Sequence, residues 1–243
     1  MLYANDASHV ENSVPRMMLR ERIELSVLLA GFLAAAGLWG FVELMEVARA
    51  IDPRDFDTRI LLLFRTAGQS DDPLGPAWLE EAVRDITSLG STAVLVLIVA
   101  ATIFYLLLIG SVRSAAFVLV SIGGGQMLSS LLKLGIDRPR PELVPHLAEV
   151  STLSFPSGHA MLSAVTYLTL GVMIARIVPG RQSRIYVLCL AVLITLMVGA
   201  SRIYLGVHWP SDVLAGWCAG FAWAMLCWLV VRLFFRRSEN TDK

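Results

Sequence analysis

Three polar clusters interrupt an otherwise apolar chain, and their side chains are of the types that bind and transfer phosphate. The clusters are "KLGIDRPRP" (133–141), "FPSGHA" (155–160) and "SRIYLGVHWPSD" (201–212). Arginine presents a planar fork of donors that matches phosphate oxygens, and lysine supplies a compact positive charge. Two histidines in the same set, His159 and His208, could serve as nucleophile and as general acid or base. The residue types therefore predict chemistry on a phosphate ester.

The second cluster is typical of a helix start that could bind an anion. Pro156, Ser157 and Gly158 precede an apolar stretch, and the free amides and positive dipole at a helix start favour negative charge. Ser157 could cap the helix or donate its hydroxyl to a bound oxygen, and Gly158 would let a ligand approach the backbone. A plain N-cap followed by glycine is the alternative, but the adjacent His159 favours the anion site.

The third cluster predicts a histidine held by a carboxylate. Pro210 disfavours helical geometry at Trp209, so we expect a helix to begin near Pro210 with His208 just before it. Asp212, on the first turn, could then accept a hydrogen bond from one imidazole nitrogen and leave the other facing the substrate. A single histidine at a membrane interface is more often structural, but the presence of His159 beside the same cations favours catalysis.

The composition indicates an integral membrane protein. Hydrophobic residues make up 56% of the 243 residues, charged residues 16%, and the mean hydropathy is +0.66, unlike a soluble globular domain. A helix needs about 20 apolar residues to cross a bilayer. Stretches without Asp, Glu, Lys or Arg that meet or approach this length are 25–42, 92–110, 114–132, 155–175, 185–201 and 213–231. The prediction is one all-α domain, 1–243, with six transmembrane helices.

The order of these helices predicts that the three clusters meet. The first two clusters lie in the loop between the third and fourth helices, and the third cluster lies between the fifth and sixth. Two crossings separate the loops, so both must lie on the same face of the membrane. Lys133, Arg138, Arg140 and Arg202 would then gather around the histidines and Asp212.

The loop charges predict which face this is. Arginines are frequent before helix 1, between helices 2 and 3, between helices 4 and 5 and after helix 6, and such segments tend to stay cytoplasmic. The tails at 1–22 and 232–243 would then be cytoplasmic, and the site would face away from the cytoplasm. The segment 1–22 is too long and polar to begin a cleavable signal peptide, so we expect helix 1 to remain as an anchor.

A long first loop, 43–91, would lie on the same side as the site. Its segments "RILLLF" (59–64) and "PAWLEEAVRDI" (76–86) could form short interfacial helices, and "GQSDDPLGP" (68–76) between them is typical of a turn. A structural cap is the simpler interpretation of the loop, and a lid or lipid gate is the alternative.

Together the three clusters resemble the signature of the type 2 phosphatidic acid phosphatase (PAP2) superfamily, which also includes soluble acid phosphatases and vanadium haloperoxidases. That signature is Lys-x6-Arg-Pro, then Pro-Ser-Gly-His, then Ser-Arg-x5-His-x3-Asp. Every specified position is present: Lys133, Arg140 and Pro141; Pro156, Ser157, Gly158 and His159; Ser201, Arg202, His208 and Asp212. The six predicted helices are similar to the membrane branch of the superfamily, with its haloperoxidase-like helical bundle.

The resemblance implies a role for each residue. His208 would attack phosphorus and form a phosphohistidine, Asp212 would hold its ring, and His159 would protonate the leaving oxygen. The phosphoryl oxygens would be bound by Lys133, Arg140, Arg202, Ser157 and Gly158. No metal or other cofactor is expected, because protein cations would replace magnesium and the sequence offers no carboxylate cluster to hold it.

The implied partners are the membrane and a lipid phosphate within it. The resemblance implies a bacterial cytoplasmic membrane, with the site on its periplasmic face. No nucleic acid is expected, and the oligomeric state stays open. Undecaprenyl diphosphate is favoured, with phosphatidylglycerophosphate, phosphatidic acid and lipid A 1-phosphate as related possibilities. A lipid phosphotransferase using the same phosphohistidine is the alternative, and a transporter or lipid-binding scaffold is less favoured. Arg138, which the signature does not specify, is either a loop-shaping charge or a headgroup or diphosphate contact.

Overall fold

The computed structural model describes residues 13–49, 55–150 and 152–241, with side chains described over 25–49, 56–150 and 152–233. Much of the predicted tails at 1–22 and 232–243 therefore lies outside the described side chains. Within these ranges the chain is mainly helical. Its elements are α1 (Ser13–Ala48), α2 (Asp55–Leu62), β1 (Arg65–Thr66), β2 (Gln69–Pro73), α3 (Ala77–Ser88), α4 (Thr92–Leu108), α5 (Val112–Leu134), α6 (Gly158–Ile177), α7 (Arg181–Tyr204) and α8 (Pro210–Thr241).

The apolar stretches predicted to cross the membrane all lie in long helices. Five spans are long and apolar enough to cross alone: Leu25–Ala48 within α1, then α5, α6 and α7, and Pro210–Leu233 within α8. The remaining stretch forms α4, which has 17 residues and joins α3 at a bend of 46°. The two helices meet the length and hydropathy criteria for a span only together, so the described residues contain five candidate spans, or six if this pair counts as one. The predicted all-α membrane fold is confirmed.

α6 packs mainly against α5, α7 and α8, and it also contacts α4. The approach of α8 is close because glycines face the backbone of α6. A Cβ built on Gly220 would lie 2.5 Å from the carbonyl oxygen of Met161, and one on Gly216 would lie 2.7 Å from that of Ser157. Small residues allow such contacts between membrane helices. The starts of α6 and α8 consequently lie side by side, which matters for the site.

The first loop contains more secondary structure than the two helices and the turn that were predicted. α2 begins four residues before the predicted 59–64 segment, and α3 agrees closely with 76–86. Part of the predicted turn, 68–76, forms β2, which pairs with β1 in an antiparallel hairpin. Gly68 has a φ of 79°, the left-handed region that glycine adopts readily, and it reverses the chain between the strands. The strand was not predicted because its polar residues are held by pairing with β1, not by their own strand preference.

Candidate active site

The ends of four helices and the loops between them bring all of the predicted site residues to one end of the bundle. The residues and their positions are Lys133 at the end of α5, Arg140 in the loop before α6, Ser157, Gly158 and His159 at the start of α6, Arg202 in the last turn of α7, His208 in the loop after α7, and Asp212 in the first turn of α8. Electrostatic interactions reach His159 from Arg202, His208, Lys133 and Arg140. The structure thus places the predicted residues together, and their catalytic roles stay predictions.

The two ring nitrogens of His208 face different groups. Nδ1 lies 3.5 Å from Oδ2 of Asp212, at the outer limit of a hydrogen bond, and 3.5 Å from Oγ of Ser154. Asp212 is itself held, because Oδ2 also accepts from the backbone N–H of Trp209 at 3.0 Å and from the Ser154 hydroxyl. Nε2 lies 3.3 Å from Nη1 of Arg140. This arrangement suits an imidazole with its proton on Nδ1 and a lone pair on Nε2 beside a cation.

The surroundings of His208 favour its neutral form. The residue is 2% exposed, and burial lowers its pKa to about 4, with the positive charges of Arg140 and Arg202 acting in the same direction. The hydrogen bond and the charge of Asp212 oppose this shift and do not reverse it. A neutral imidazole keeps the lone pair that a nucleophile needs. The ring of His208 is therefore uncharged at neutral pH, as the predicted nucleophile would need to be.

Two of the predicted cations are held by backbone carbonyl groups. Nζ of Lys133 donates to the carbonyl oxygen of Leu153 at 3.0 Å, and Nε of Arg140 donates to that of Thr152 at 2.9 Å. Arg140 also donates to the carbonyl oxygen of Val207, and burial lowers its pKa. Carbonyl groups orient these side chains without neutralising them, so their charge remains available to an anion. Over the described ranges, no group of three or more His, Cys, Asp or Glu side chains could hold a metal ion.

Two buried donors in the site have no hydrogen-bond partner among the described residues: Oγ of Ser157 and Nε of Arg202. Ser157 occupies the N-cap position of α6, but its hydroxyl makes no capping bond there. Its backbone N–H donates to the carbonyl oxygen of Asp212 at 3.0 Å, so Ser157 lies beside the first turn of α8. Buried polar groups are normally paired. Unpaired donors beside cations are therefore the groups to which an anionic ligand would bind.

The contacts of Arg138 favour the loop-shaping alternative over a headgroup or diphosphate contact. It is 5% exposed, and its guanidinium lies between two buried carboxylates. Nη2 donates to Oδ2 of Asp57 at 2.8 Å, while Nη1 donates to Oδ1 of Asp212 and to the hydroxyl of Ser211 at 2.8 Å. Two carboxylates offset its charge, so little remains to attract a phosphate.

Asp57 is the residue of this network that the sequence analysis missed. It was one of many acids in the first loop, and it lies outside the three-part signature. One signal was available, because Asp57 and Leu61 are four residues apart on α2 and so share a face of that helix. Both are fully buried. An acid on the apolar face of an amphipathic helix needs a buried partner, here Arg138.

The bend between α3 and α4 supplies one wall of the site. Oγ1 of Thr87 accepts a hydrogen bond from Nη1 of Arg202 at 3.1 Å. Gly90 lies so close to His159 that a Cβ there would be 3.3 Å from the ring carbon Cδ2, and 2.3 Å from Val198. The end of the first loop thus contacts both an arginine and a histidine of the signature. This supports the interpretation of the loop as a structural cap.

Comparisons with known proteins agree with this geometry. The pattern of the PAP2 superfamily matches residues 114–236. Phosphatidylglycerophosphatase B of Bacillus subtilis (strain 168) is 34% identical over 149 residues, covering 59% of this chain and 70% of that protein. Undecaprenyl-diphosphatase of Sulfolobus acidocaldarius is 37% identical over 67 residues, 28% of each chain. A crystal structure of the transmembrane PAP2-type phosphatidylglycerolphosphate phosphatase from Bacillus subtilis has a TM-score of 0.67 at 28% identity, covering 81% of this chain and 94% of that one.

The matched segment contains all three polar clusters and the helix ends that gather them. The structural match extends the likeness over most of the chain, including its spanning helices. With the signature complete, its residues assembled at one end of the bundle and both comparisons in agreement, the chain belongs to the PAP2 superfamily, in its transmembrane branch, and is a phosphoric ester hydrolase.

Proposed function

We propose that the protein is a membrane lipid phosphatase that works through a phosphohistidine formed on His208. The observation that carries the proposal is the pair of buried, unpartnered donors, Ser157 Oγ and Arg202 Nε, next to a neutral imidazole. A bound phosphoryl group would give both donors an acceptor. Arg140, close to Nε2 of His208, would add positive charge where the transition state gains negative charge.

In the first step, Nε2 of His208 forms a bond to phosphorus while the bond between phosphorus and the lipid oxygen breaks. His159, which must be an imidazolium when the anionic phosphate is bound, gives its proton to the departing oxygen, so the lipid leaves as an alcohol and His159 becomes neutral. The imidazole becomes positively charged as it takes the phosphoryl group, and Asp212, facing Nδ1, stabilises that charge. The intermediate is a phosphohistidine held by the surrounding cations.

In the second step, water attacks phosphorus and the bond between nitrogen and phosphorus breaks. His159, which lost its proton in the first step, accepts one from the attacking water. Inorganic phosphate leaves, and His208 recovers its lone pair. The two steps balance without any further reactant.

The position of the site supports a lipid substrate. A lipid headgroup can reach a site at the ends of spanning helices while its tail stays in the bilayer. The Bacillus subtilis relative, which has the longer match, is named for phosphatidylglycerophosphate, and we favour this monoester. Undecaprenyl diphosphate, favoured from the sequence, is the second candidate because the Sulfolobus relative is named for it.

A panel of lipids tests the proposal. Purified protein in detergent micelles is given phosphatidylglycerophosphate, undecaprenyl diphosphate, phosphatidic acid or lipid A 1-phosphate, with a chelator present, and released phosphate is measured. We expect rapid release from at least one lipid. With a ³²P-labelled substrate and an alkaline quench, which preserves phosphohistidine, we expect label on the protein that is absent from the His208→Ala variant. Release from none of the four lipids would contradict the proposal.

The charge distribution of the loops supports a site on the extracytoplasmic face of a bacterial cytoplasmic membrane. Alkaline phosphatase fused after Lys243 should remain inactive, because that reporter needs an oxidising compartment to form its disulfides. A fusion in the loop before α6 should be active. A strongly active fusion after Lys243 would contradict this orientation.

A further inference from the structure

A carboxylate from the first loop reaches into the signature. Asp57 of α2 is fully buried although it lies outside the segment matched by the superfamily. Oδ1 accepts from the backbone N–H of Ser211 at 2.8 Å, and Oδ2 accepts from the Ser211 hydroxyl at 2.6 Å and from Arg138 at 2.8 Å. Both carboxylate oxygens are therefore used, and both connect to residues beside Asp212.

These bonds connect Asp57 to His208 by two short routes. The first passes through Arg138, which donates to Asp57 with Nη2 and to Asp212 with Nη1. The second passes through the start of α8, where Asp57 accepts from the N–H of Ser211, one of the amides that a helix start leaves without a helical partner. Asp212 follows Ser211 in the chain and faces Nδ1 of His208 at 3.5 Å.

We propose that Asp57 is a positioning residue, which holds Arg138 and the first turn of α8 so that Asp212 stays directed at the imidazole of His208. The inference rests on the proposed function of His208 as nucleophile. Asp57 touches neither the substrate nor the reacting atoms, and acts through Asp212.

The division of Arg138 between two carboxylates explains why Asp57 matters. Without the Asp57 charge, the whole guanidinium is free to turn towards Asp212, the one remaining carboxylate. Asp212 would then be drawn towards Arg138 and away from the already long contact with Nδ1. Water cannot readily compensate, because Asp57 and Asp212 are fully buried and Arg138 nearly so. The imidazole would lose the group that sets its orientation.

Leu61 allows a positioning role to be separated from simple anchoring of α2. It is fully buried on the same face of α2 as Asp57, in a cluster with Ala160, Trp209 and Val213. Leu61→Ala weakens the packing of α2 and leaves the carboxylate in place. Asp85, which is exposed on α3 in the same loop, provides the matched charge control for Asp57→Asn.

The test compares Asp57→Asn, Leu61→Ala and Asp85→Asn with the unchanged protein in detergent micelles, with phosphatidylglycerophosphate as probe. Steady-state kcat and KM and the thermal unfolding midpoint are measured for each. We expect Asp57→Asn to lower kcat by about 10- to 100-fold, the cost of a small misplacement of a catalytic group, with KM within about twofold. Leu61→Ala should lower the unfolding midpoint at least as much as Asp57→Asn does, but with a smaller loss of kcat. Asp85→Asn should change neither the midpoint nor kcat.

A double-mutant cycle follows the route through Arg138. The change in log kcat caused by Asp57→Asn is measured in the unchanged protein and again in an Arg138→Gln background. We expect the second change to be less than half of the first. If Asp57→Asn does not fold, Ser211→Ala replaces it, because this change removes one donor to Asp57 without unpairing a charge. We expect a several-fold loss of kcat in Ser211→Ala with KM unchanged.

Two results would overturn the inference. One is an unchanged kcat in folded Asp57→Asn or, where that variant does not fold, in Ser211→Ala. The other is a loss of kcat that is proportional to the fall in the unfolding midpoint, with the same proportion in Asp57→Asn and in Leu61→Ala. Such a result would indicate that Asp57 only anchors α2. His208→Ala separates this failure from that of the proposed function: an active His208→Ala contradicts the phosphohistidine mechanism, whereas an inactive one with normal Asp57→Asn contradicts only the role of Asp57.

Discussion

The signature helices and the first loop both bury polar side chains at the site, but they leave them in different states. In α6 and α7, Ser157 Oγ and Arg202 Nε are buried and have no partner among the described residues. In the first loop, both oxygens of Asp57 are occupied. A buried donor without a partner costs free energy that a ligand can recover, whereas a saturated carboxylate has nothing left to offer. Within the predicted site, the unpaired donors are therefore the groups that a ligand could bind, and Asp57 is a support. An unpaired buried atom does not mark a site by itself, because Arg65, Ser121 and Thr166 also have such atoms.

Arg138 and Arg140 show the same difference within one short loop. Arg138 donates to two carboxylates, which offset its charge. Arg140 donates to the carbonyl oxygens of Thr152 and Val207, which orient the guanidinium but leave its charge in place. A phosphate is attracted by the charge that remains. The type of acceptor, more than the burial of the arginine, decides which of the two can bind substrate.

Among substitutions in the proposed binding surface, His208→Ala should have the largest effect on activity. Removing the proposed nucleophile should lower kcat by about 10⁴-fold or more, as the loss of a nucleophile does in hydrolases with a catalytic triad. Released phosphate measured under substrate saturation checks this. Truncation of this buried ring leaves a cavity, so the unfolding midpoint of the variant is measured to verify that it is folded. Activity within tenfold of the unchanged protein would contradict the mechanism.

Arg202→Gln should have the next largest effect. It removes a charge and an unpartnered donor that a bound phosphate would satisfy, so kcat/KM should fall by about 10²- to 10³-fold. Steady-state kinetics with the best lipid of the panel measures this. Arg84→Gln is the control, because Arg84 is exposed on α3 and pairs with Glu80 there. Equal losses in the two variants would show that Arg202 has no special role.

The pH dependence of kcat/KM probes the neutral state of His208. Its pKa is lowered to about 4, so the ring is neutral above this pH and protonated below it. Only the neutral ring can attack, so kcat/KM should hold towards pH 5 and fall by about tenfold for each unit below pH 4. Samples returned to pH 7 should recover full activity, which separates protonation from unfolding. An acid limb near pH 6.5 that does not follow the second pKa of the substrate phosphate, about 6, would contradict the burial of this histidine.

Thr87→Val should have the smallest effect, and it tests the support that the first loop gives to a binding residue. The change keeps the shape of the side chain and removes the oxygen that accepts from Nη1 of Arg202. Loss of one hydrogen bond from a charged donor is worth about 1.5 kcal/mol, so kcat/KM should fall about tenfold, mainly through KM. Thr102→Val on α4 is the control, because that hydroxyl donates only to its own helix at Ile98. A loss as large as that of Arg202→Gln would place Thr87 itself among the binding groups.

The parts of the site predicted correctly depend on local rules. Pro210 begins α8 with His208 just before it, as the restriction of the residue before proline indicates. Gly158 begins α6 with Ser157 at the N-cap position. The convergence of the clusters followed from the number of crossings between them. None of these inferences needed a contact between distant residues.

The parts that were missed depend on contacts across long stretches of chain. Arg138 and Asp57 are 81 residues apart, and Thr87 and Arg202 are 115 apart. The four-residue spacing between Asp57 and Leu61 indicates a shared helix face, but it does not indicate that Arg138 is the partner of Asp57. Arg138 is only two residues from Arg140 in the sequence, yet the two side chains have different partners. Arg138 is paired with a carboxylate because Asp57 of α2 lies beside it.

By itself the sequence determined the membrane fold, the residues that meet at the helix ends and the phosphate chemistry that they suit. Apolar length, helix-start rules and the parity of crossings act over short ranges, so they can be inferred from spacing. Only the tertiary structure decided which of these polar groups keep free hydrogen-bonding capacity and which are saturated. The physical reason is that a buried charge is defined by its partner, and the partner of Arg138 comes from a loop whose packing no local pattern encodes.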